Sequence, residues 1–261
     1  MYLVKEIIIY PVKGLGGISL PSAQTLTEGF EHDRRWMIIN DDGKFMSQRE
    51  HASMALFQAS IKDKGVLISY KEKEILIPFN EYLEEPIKVS VWNSSFKANE
   101  VSKEISQWFR DQLQMEVRLV AMTEISKRYK RLFTKPFSTH VSFADGYPYL
   151  VLGDKSLDYL NEKLDTPVTM DRFRANIIVS TQSPHEEDEW EQFNLPNTQM
   201  KVIKPCARCQ VVTINQKTSE IGVEPLKTLS SYRKKQNKIY FGANAIVLEK
   251  GTIRVGDKIS F

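Results

Sequence analysis

"LVKEIIIYPVKGLGG", residues 3–17, is the stretch that decides the fold. Val4, Ile7, Ile8, Ile9 and Val12 are β-branched and suit a pleated, buried strand, while Gly14, Gly16 and Gly17 make a flexible turn after it. The chain thus opens on a strand that ends in a glycine turn rather than in a helix. Later segments keep to that habit. "RWMIIN" at 35–40 stops at Asp41-Asp42-Gly43 and resumes as "KFMSQ", which reads as a hairpin. "VLISY" and "ILIPF" flank the charged turn "KEKE", and "IKVSVW" alternates Ile87, Val89 and Val91 against Lys88, Ser90 and Trp92, the period of a half-buried strand. The end, "AIVLEKGTIRVGDKISF", returns to short strands joined by Gly-containing turns.

Helices are fewer. Val101, Ile105, Trp108, Phe109 and Leu113 recur at helical spacing, and Leu157, Leu160 and Leu164 share a face after Gly153-Asp154, where Ser156 or Asp154 can cap the start. A third helix is expected around "LKTLSSYRKK". Strands first, with scattered helices and no regular alternation, argue against a doubly wound parallel sheet and for a predominantly β, barrel-containing α+β architecture. A soft boundary between Met122 and Pro136 divides the chain into expected domains at 1–122 and 123–261.

Composition narrows the function classes. Over 261 residues, 41% hydrophobic and 26% charged residues describe an ordinary globular chain, and no apolar run approaches the roughly 18 residues a bilayer span needs. Lys5 and Glu6 interrupt the first apolar stretch, so no secretory signal is read there and the cytoplasm is the expected address. A net charge of +3 is too mild to predict nucleic-acid binding. The basic stretch "SKRYKR", with Lys127, Arg128, Lys130 and Arg131 around Tyr129, reads first as a solvated connector.

Chemistry gathers at a few places. The glycine turn lacks the spacing of a phosphate-binding P-loop but sets Lys13 at a strand end, where an ammonium and backbone N–H groups can meet an anion. The histidines 32, 51, 140 and 185 have no ligand spacing and read as surface or satisfied core imidazoles. Both cysteines lie in "KPCARCQVVTIN", residues 204–215. One CxxC supplies half of a structural zinc site, and a thioredoxin-type dithiol wants a helix after it, whereas "QVVTI" reads as a strand. A thiolate ligand to a metal carried by an organic cofactor remains open, favoured by the neighbouring Arg208, as does a buried cysteine acting as a small hydrophobe. Arg34 and Arg35, Arg49, Arg172, Arg174 and Asn176 sit near strand ends. Taken as a set from both halves of the chain, they make sense around one polyanionic cofactor.

Together the motifs "YPVKG", "DRRWMIIN", "FADGYPYLVL", "RFRANIIV", "CARCQVVTIN", "LKTLSSYRK" and "GTIRVGD" occur in the order seen in MOSC proteins, the molybdenum cofactor sulfurase C-terminal domain preceded by its N-terminal β-barrel partner. The chain resembles the members that reduce amidoximes and hydroxylamino compounds, and the resemblance is weak between Ala59 and Lys135. It implies a molybdenum-cofactor oxidoreductase acting on N-hydroxylated compounds, or, alternatively, a cofactor carrier or sulfur-transfer protein. Carried over residue by residue, it implies Cys209 as the molybdenum ligand and catalytic residue. It further implies Lys13, Arg34, Arg49 and Arg174, with Asn176, as contacts of the pterin cofactor, and Asp145 at the pterin pocket. Cys206 is expected to be a neighbour. Gly14 stands where many relatives have serine, which removes one hydroxyl contact. With two cysteines the chain cannot hold a four-cysteine iron–sulfur cluster, so a separate ferredoxin- or flavodoxin-like donor is expected, with Lys127–Arg131 as a docking patch.

Overall fold

The computed structural model describes residues 1–131 and 138–261. Its largest sheet runs in the order Gln192–Leu195, Thr198–Arg208, Lys238–Glu249, Tyr149–Gly153, Ile177–Val179, Tyr2–Ile9, Lys258–Ile259. An antiparallel bridge between Asn194 and Ser260, with N–H to O distances of 2.8 and 3.1 Å, joins the two edges and closes the sheet into a barrel. Closure removes the exposed edges that an open sheet leaves to be managed. Val4, Ile7 and Ile9 alternate inward from the opening strand and meet Tyr149, Val151, Ile177, Phe193, Met200 and Ala245 inside. The first strand of the chain therefore lies among barrel strands from beyond residue 148, with Ile18–Leu20 paired beside it.

After Pro11 the chain leaves the barrel. Val12–Lys13 pairs in parallel with Trp36–Asn40 and is the edge of a second sheet that continues through Val117–Ala121, Ser94–Glu100 and Pro86–Val91. A three-stranded sheet, Gln58–Lys62, Gly65–Tyr70 and Lys73–Pro78, packs with it over a core of Ile38, Phe57, Val66, Ile68, Leu119 and the helix α1, Lys103–Leu113. The α1 helix is capped by Ser102, whose oxygen accepts the Ile105 N–H at 3.0 Å, and its buried Ile105 and Phe109 stand one turn apart. The fold is predominantly β, an α+β arrangement with helices also at Asp154–Asn161 (α2) and Leu226–Tyr232 (α3). The expected boundary between Met122 and Pro136 falls partly on residues 132–137, outside the described residues.

Three local expectations need correction. Neither Ser156 nor Asp154 caps α2. Gly153 is the N-cap, the Asp154 carboxylate accepts from the N–H groups of Lys155 and Thr181, and the Ser156 hydroxyl donates to Glu187. Second, "QVVT" is not a strand. Gln210–Thr213 is a single 3-10 turn with Cys209 as its N-cap, because the chain must bend away where the long strand ends at Arg208. Third, Arg128 is not part of a solvated patch. It is 2% exposed, and its guanidinium donates to the carbonyls of Ser142, Ala144 and Asp145 at 2.6, 2.5 and 3.3 Å. The side chains of Lys130 and Arg131 lie outside the described residues.

His185 departs from the satisfied imidazole expected of it. Both ring nitrogens are buried without a hydrogen-bond partner, among the rings of Tyr159, Tyr232 and Phe241. Burial, helped by the nearby Arg233 charge, pulls its pKa down to about 4. The unfolded chain therefore binds one more proton than the native chain between about pH 6.5 and 4, and the contribution of neutral His185 is lost as pH falls through that window. His140 acts in the opposite direction and elsewhere. Its pKa is raised by the Glu28 carboxylate, 3.9 Å from its Nδ1, so its contribution fades only as pH rises above its ordinary value. Urea midpoints measured from pH 7 down to 4 are expected to fall more steeply for wild type than for His185→Phe.

Candidate functional site

Lys13, Arg34, Arg49, Asp145, Arg174, Asn176 and Cys209 all line one cavity of ≈ 350 Å³, within the usual range of small-ligand sites. Each arrives by a different route. Lys13 sits where the chain passes from the barrel to the second sheet, Arg49 follows the hairpin that ends at Ser47, and Arg174 ends the 3-10 turn Met170–Phe173. The cavity thus lies where the two core assemblies meet.

One wall is built on Tyr10. The guanidinium groups of Arg34 and Arg174 lie over its ring at 4.4 and 4.2 Å from the centroid, close enough for cation–π attraction. Both arginines hold positive φ, 49° and 53°, a conformation uncommon outside glycine. Their hydrogen bonds keep them there. Arg34 donates to the buried Asp33 carboxylate at 2.6 Å and to the Arg174 carbonyl at 3.0 Å, and Arg174 donates to the Leu15 carbonyl at 2.8 Å. Burial lowers the Arg174 pKa to about 10, which leaves it charged at neutral pH, and raises the Tyr10 hydroxyl to about 12.

The opposite side is an ion pair with an aromatic frame. The Lys13 ammonium bonds the Asp145 carboxylate and lies 4.8 Å from the Phe45 ring centroid. Trp92, which sequence reasoning treated only as part of a strand, donates its indole N–H to the same carboxylate oxygen at 3.0 Å and receives the Arg49 guanidinium at 4.3 Å from its ring centroid. The Asp145 side chain is 59% exposed, and such desolvation as it meets would by itself raise its pKa. The Lys13 charge and hydrogen bond and the Trp92 N–H overcome that and hold it well below the usual carboxylate range. Burial lowers the Lys13 pKa, with Asp145 opposing.

Asn176 is committed to the backbone. Its amide donates to the Ile8 carbonyl at 3.0 Å and accepts from the Leu150 N–H at 3.3 Å, so it holds the wall together. Gly14 has φ +88°, and a Cβ there would come within 2.9 Å of the Met54 methyl, so a serine at this position would be strained on this backbone. Arg35 lies outside the cavity lining and pairs with Glu28 at 3.0 Å. A further pair escaped sequence reading because nothing in its spacing announces it. Gln48 and Gln216 exchange amide hydrogen bonds at 3.0 and 2.9 Å, pinning the loop after the thiols to the loop that carries Arg49.

The sulfurs stand at the remaining side. Cys209 is exposed and Cys206 half-buried. The Arg208 guanidinium donates to the Cys206 sulfur at 3.3 Å and to the Phe173 carbonyl at 2.5 Å, so its charge serves Cys206 rather than Cys209. Among the described residues no three of His, Cys, Asp and Glu are grouped as a metal held by side chains alone would need. The donor set instead fits a metal that brings its other ligands with it. Soft sulfur lines one part of the cavity, and Lys13, Arg34, Arg49 and Arg174 are among the cations that line the rest. Buried N–H groups of Arg49, Arg174 and Arg208 have no partner among the described residues, and such donors suit an anion.

The family model of the MOSC N-terminal beta barrel domain matches residues 1–116, and that of the MOSC domain matches residues 138–260. Mitochondrial amidoxime-reducing component 1 of Mus musculus is 29% identical, aligned over 98% of this chain and 81% of its own length. Mitochondrial amidoxime reducing component 2 of Bos taurus is likewise 29% identical, over 98% and 82%. Molybdenum cofactor sulfurase of Bombyx mori is 28% identical over 87% of this chain but only 30% of that protein. With both family models matched in order along its length, the chain belongs to the MOSC proteins that carry a MOSC N-terminal beta barrel domain.

Proposed function

We propose that the cavity binds a molybdenum-bearing pterin cofactor and that the protein reduces N-hydroxylated compounds, hydroxylamines and amidoximes, with electrons from a separate carrier protein. The observation that carries this reading is the convergence of Cys209 with Lys13, Arg34, Arg49 and Arg174 on one cavity. Full-length similarity to amidoxime-reducing relatives supports the same reaction. Two free cysteines and no helix long and apolar enough to cross a membrane among the described residues suit the cytoplasm, where we place the reaction.

In this reading Cys209 is the protein's ligand to the metal, since a thiolate is a soft donor suited to it. Lys13, Arg34, Arg49 and Arg174 neutralise the cofactor's anionic end, and Asn176 keeps the wall that carries Arg174 in register with the opening strand. When bound, the cofactor supplies the two-electron chemistry of N–O cleavage. The substrate R–NH–OH takes up two electrons and two protons and leaves as R–NH₂ and water. Asp145, held ionised by Lys13 and Trp92, has no proton to deliver near neutral pH, so its part is to orient Lys13 and balance the cationic wall.

A second reading, a cofactor carrier or sulfur-transfer protein, is favoured by the presence of Cys206 in the same cavity and by the sulfurase relative. One assay separates the two. Protein from a host rich in molybdenum cofactor is expected to hold close to stoichiometric molybdenum and to turn over a hydroxylamine or amidoxime with a chemically reduced dye. Bound metal without turnover would favour the carrier.

A further inference from the structure

A lysine-rich hairpin lies against the strand that delivers the thiols. Lys234 and Lys235 pair with Ile239 and Lys238 around Gln236-Asn237, whose φ values of 47° and 60° make the tight left-handed turn that suits strand twist. Lys235 stands directly opposite Lys238, and Lys234, Lys235 and Lys238 are all exposed. Like charges directly opposite each other cost a sheet stability, so the fold gains nothing from this arrangement. The same strand carries the hairpin to the cavity. Ile239 is also the partner of Arg208, and Tyr240 the partner of Ala207, immediately before Cys209.

The surroundings leave the hairpin positive. It borders a groove of ≈ 670 Å³ that shares Lys204 with the thiol cavity and is lined also by Arg233, Lys235, Glu186, Asp188 and Glu189. With the hairpin counted, five cations, Lys204, Arg233, Lys234, Lys235 and Lys238, stand against these three carboxylates, an excess of two positive charges. Glu186 accepts from the Tyr2 hydroxyl and from the N–H groups of Gln182 and Ser183, and Asp188 pairs with Arg233. Glu189 remains against the lysines.

We propose that Lys234, Lys235 and Lys238 form the docking surface for a small acidic electron-carrier protein of ferredoxin or flavodoxin type that feeds the neighbouring cavity, an inference that rests on the reductase reading. Complementary charge steers such a partner and orients it, and an exposed basic cluster beside an exposed thiol brings the two redox centres to the same face. Of the stretch Lys127–Arg131, Arg128 is buried on backbone carbonyls, and the side chains of Lys130 and Arg131 lie outside the described residues.

The test is the triple reversal K234E/K235E/K238E. The exposed triple K62E/K64E/K73E, on the three-stranded sheet, changes net charge by the same amount and serves as its control. Binding of an acidic ferredoxin and an acidic flavodoxin is measured at low and high salt. Hydroxylamine turnover is followed with each reduced carrier and with dithionite. Wild type and control are expected to bind at least one carrier. The hairpin reversal should weaken binding and carrier-driven kcat/KM by about tenfold or more, with the loss mimicked by salt and the dithionite rate unchanged. Failure of both carriers to bind wild type, equal losses in hairpin and control variants, or a dithionite rate that falls in parallel would overturn the proposal. Carrier binding that is lost in the hairpin variant while wild type shows no dithionite-driven turnover would uphold the surface and sink the reductase reading instead.

Discussion

Replacing Cys209 by serine is expected to strip molybdenum from the purified protein and abolish reductase activity, while Cys206→Ser keeps both. The two sulfurs are three residues apart and line the same cavity, so proximity alone does not choose between them. Their surroundings do. Cys206 is part of the strand Thr198–Arg208, half-buried, with Arg208 donating to its sulfur. Cys209 is exposed, stands outside the strand as the N-cap of a 3-10 turn and makes no hydrogen bond to Arg208. A serine hydroxyl has the shape of the thiol but is a hard, protonated oxygen at neutral pH, a poor partner for a thiophilic metal. Because Cys209 is exposed, the change should leave the melting temperature of cofactor-free protein nearly where it was, in line with surface substitutions that move stability by about 0.5 kcal/mol or less. Loss of metal in Cys206→Ser with retention in Cys209→Ser would reverse the assignment. Loss in neither would take both sulfurs out of the metal's coordination.

Much of this site was legible in the sequence, for a physical reason. Lys13, Arg34, Arg174, Asn176 and Cys209 sit near strand ends, where a β fold brings distant segments together, whereas Arg49 lies in a loop, and Asp145 and the choice of Cys209 over Cys206 came only from the resemblance to MOSC proteins. The strands were legible too, because period-two alternation such as Val89 and Val91 records burial directly. The features that escaped depend on neighbours rather than on spacing. "QVVTI" has the β-branched residues of a strand, yet the chain bends at Cys209 into a 3-10 turn. Arg128 lies among charged residues, yet three carbonyls of the 142–145 segment take its guanidinium inward. Trp92, expected as the outward-facing end of a strand, instead lies in the turn after Val91 with φ 55°, and the approach of Asp145, 53 positions later, gives its indole a role. The pairing of Gln48 with Gln216 is equally invisible in one dimension, since either residue alone is an ordinary polar side chain.

Tyr10 is the residue whose loss should damage the cationic wall most without removing a charge. Arg34 and Arg174 are like charges brought together in one wall, and burial together with the Arg34 charge lowers the preference of Arg174 for its charged form. The ring between them holds them: two cation–π contacts, each worth about 0.5–2 kcal/mol, offset part of the repulsion and of the cost of burial. Tyr10→Leu removes both contacts, and truncating a side chain that is 2% exposed is itself expected to cost about 2–4 kcal/mol of stability. Tyr10→Phe keeps the ring and loses only the hydroxyl's 3.3 Å bond to the Ala175 carbonyl, about 1 kcal/mol. Molybdenum and pterin content, together with affinity of cofactor-free protein for inorganic pyrophosphate as a probe of the cationic wall, should therefore stay near wild type in Tyr10→Phe and fall about tenfold or more in Tyr10→Leu, the equivalent of losing roughly 1.4 kcal/mol. Gly17→Ala offers the same defect from a residue that touches no ligand, because a Cβ there would stand 2.6 Å from Tyr10 Cε1 and force the ring to shift. If Gly17→Ala and Tyr10→Leu both fold and both bind pyrophosphate as wild type does, the arginines position themselves and the ring is only packing. If both lose pyrophosphate while Tyr10→Phe keeps it, the spacing of two positive charges for one anion is set by an aromatic plate that carries no charge of its own.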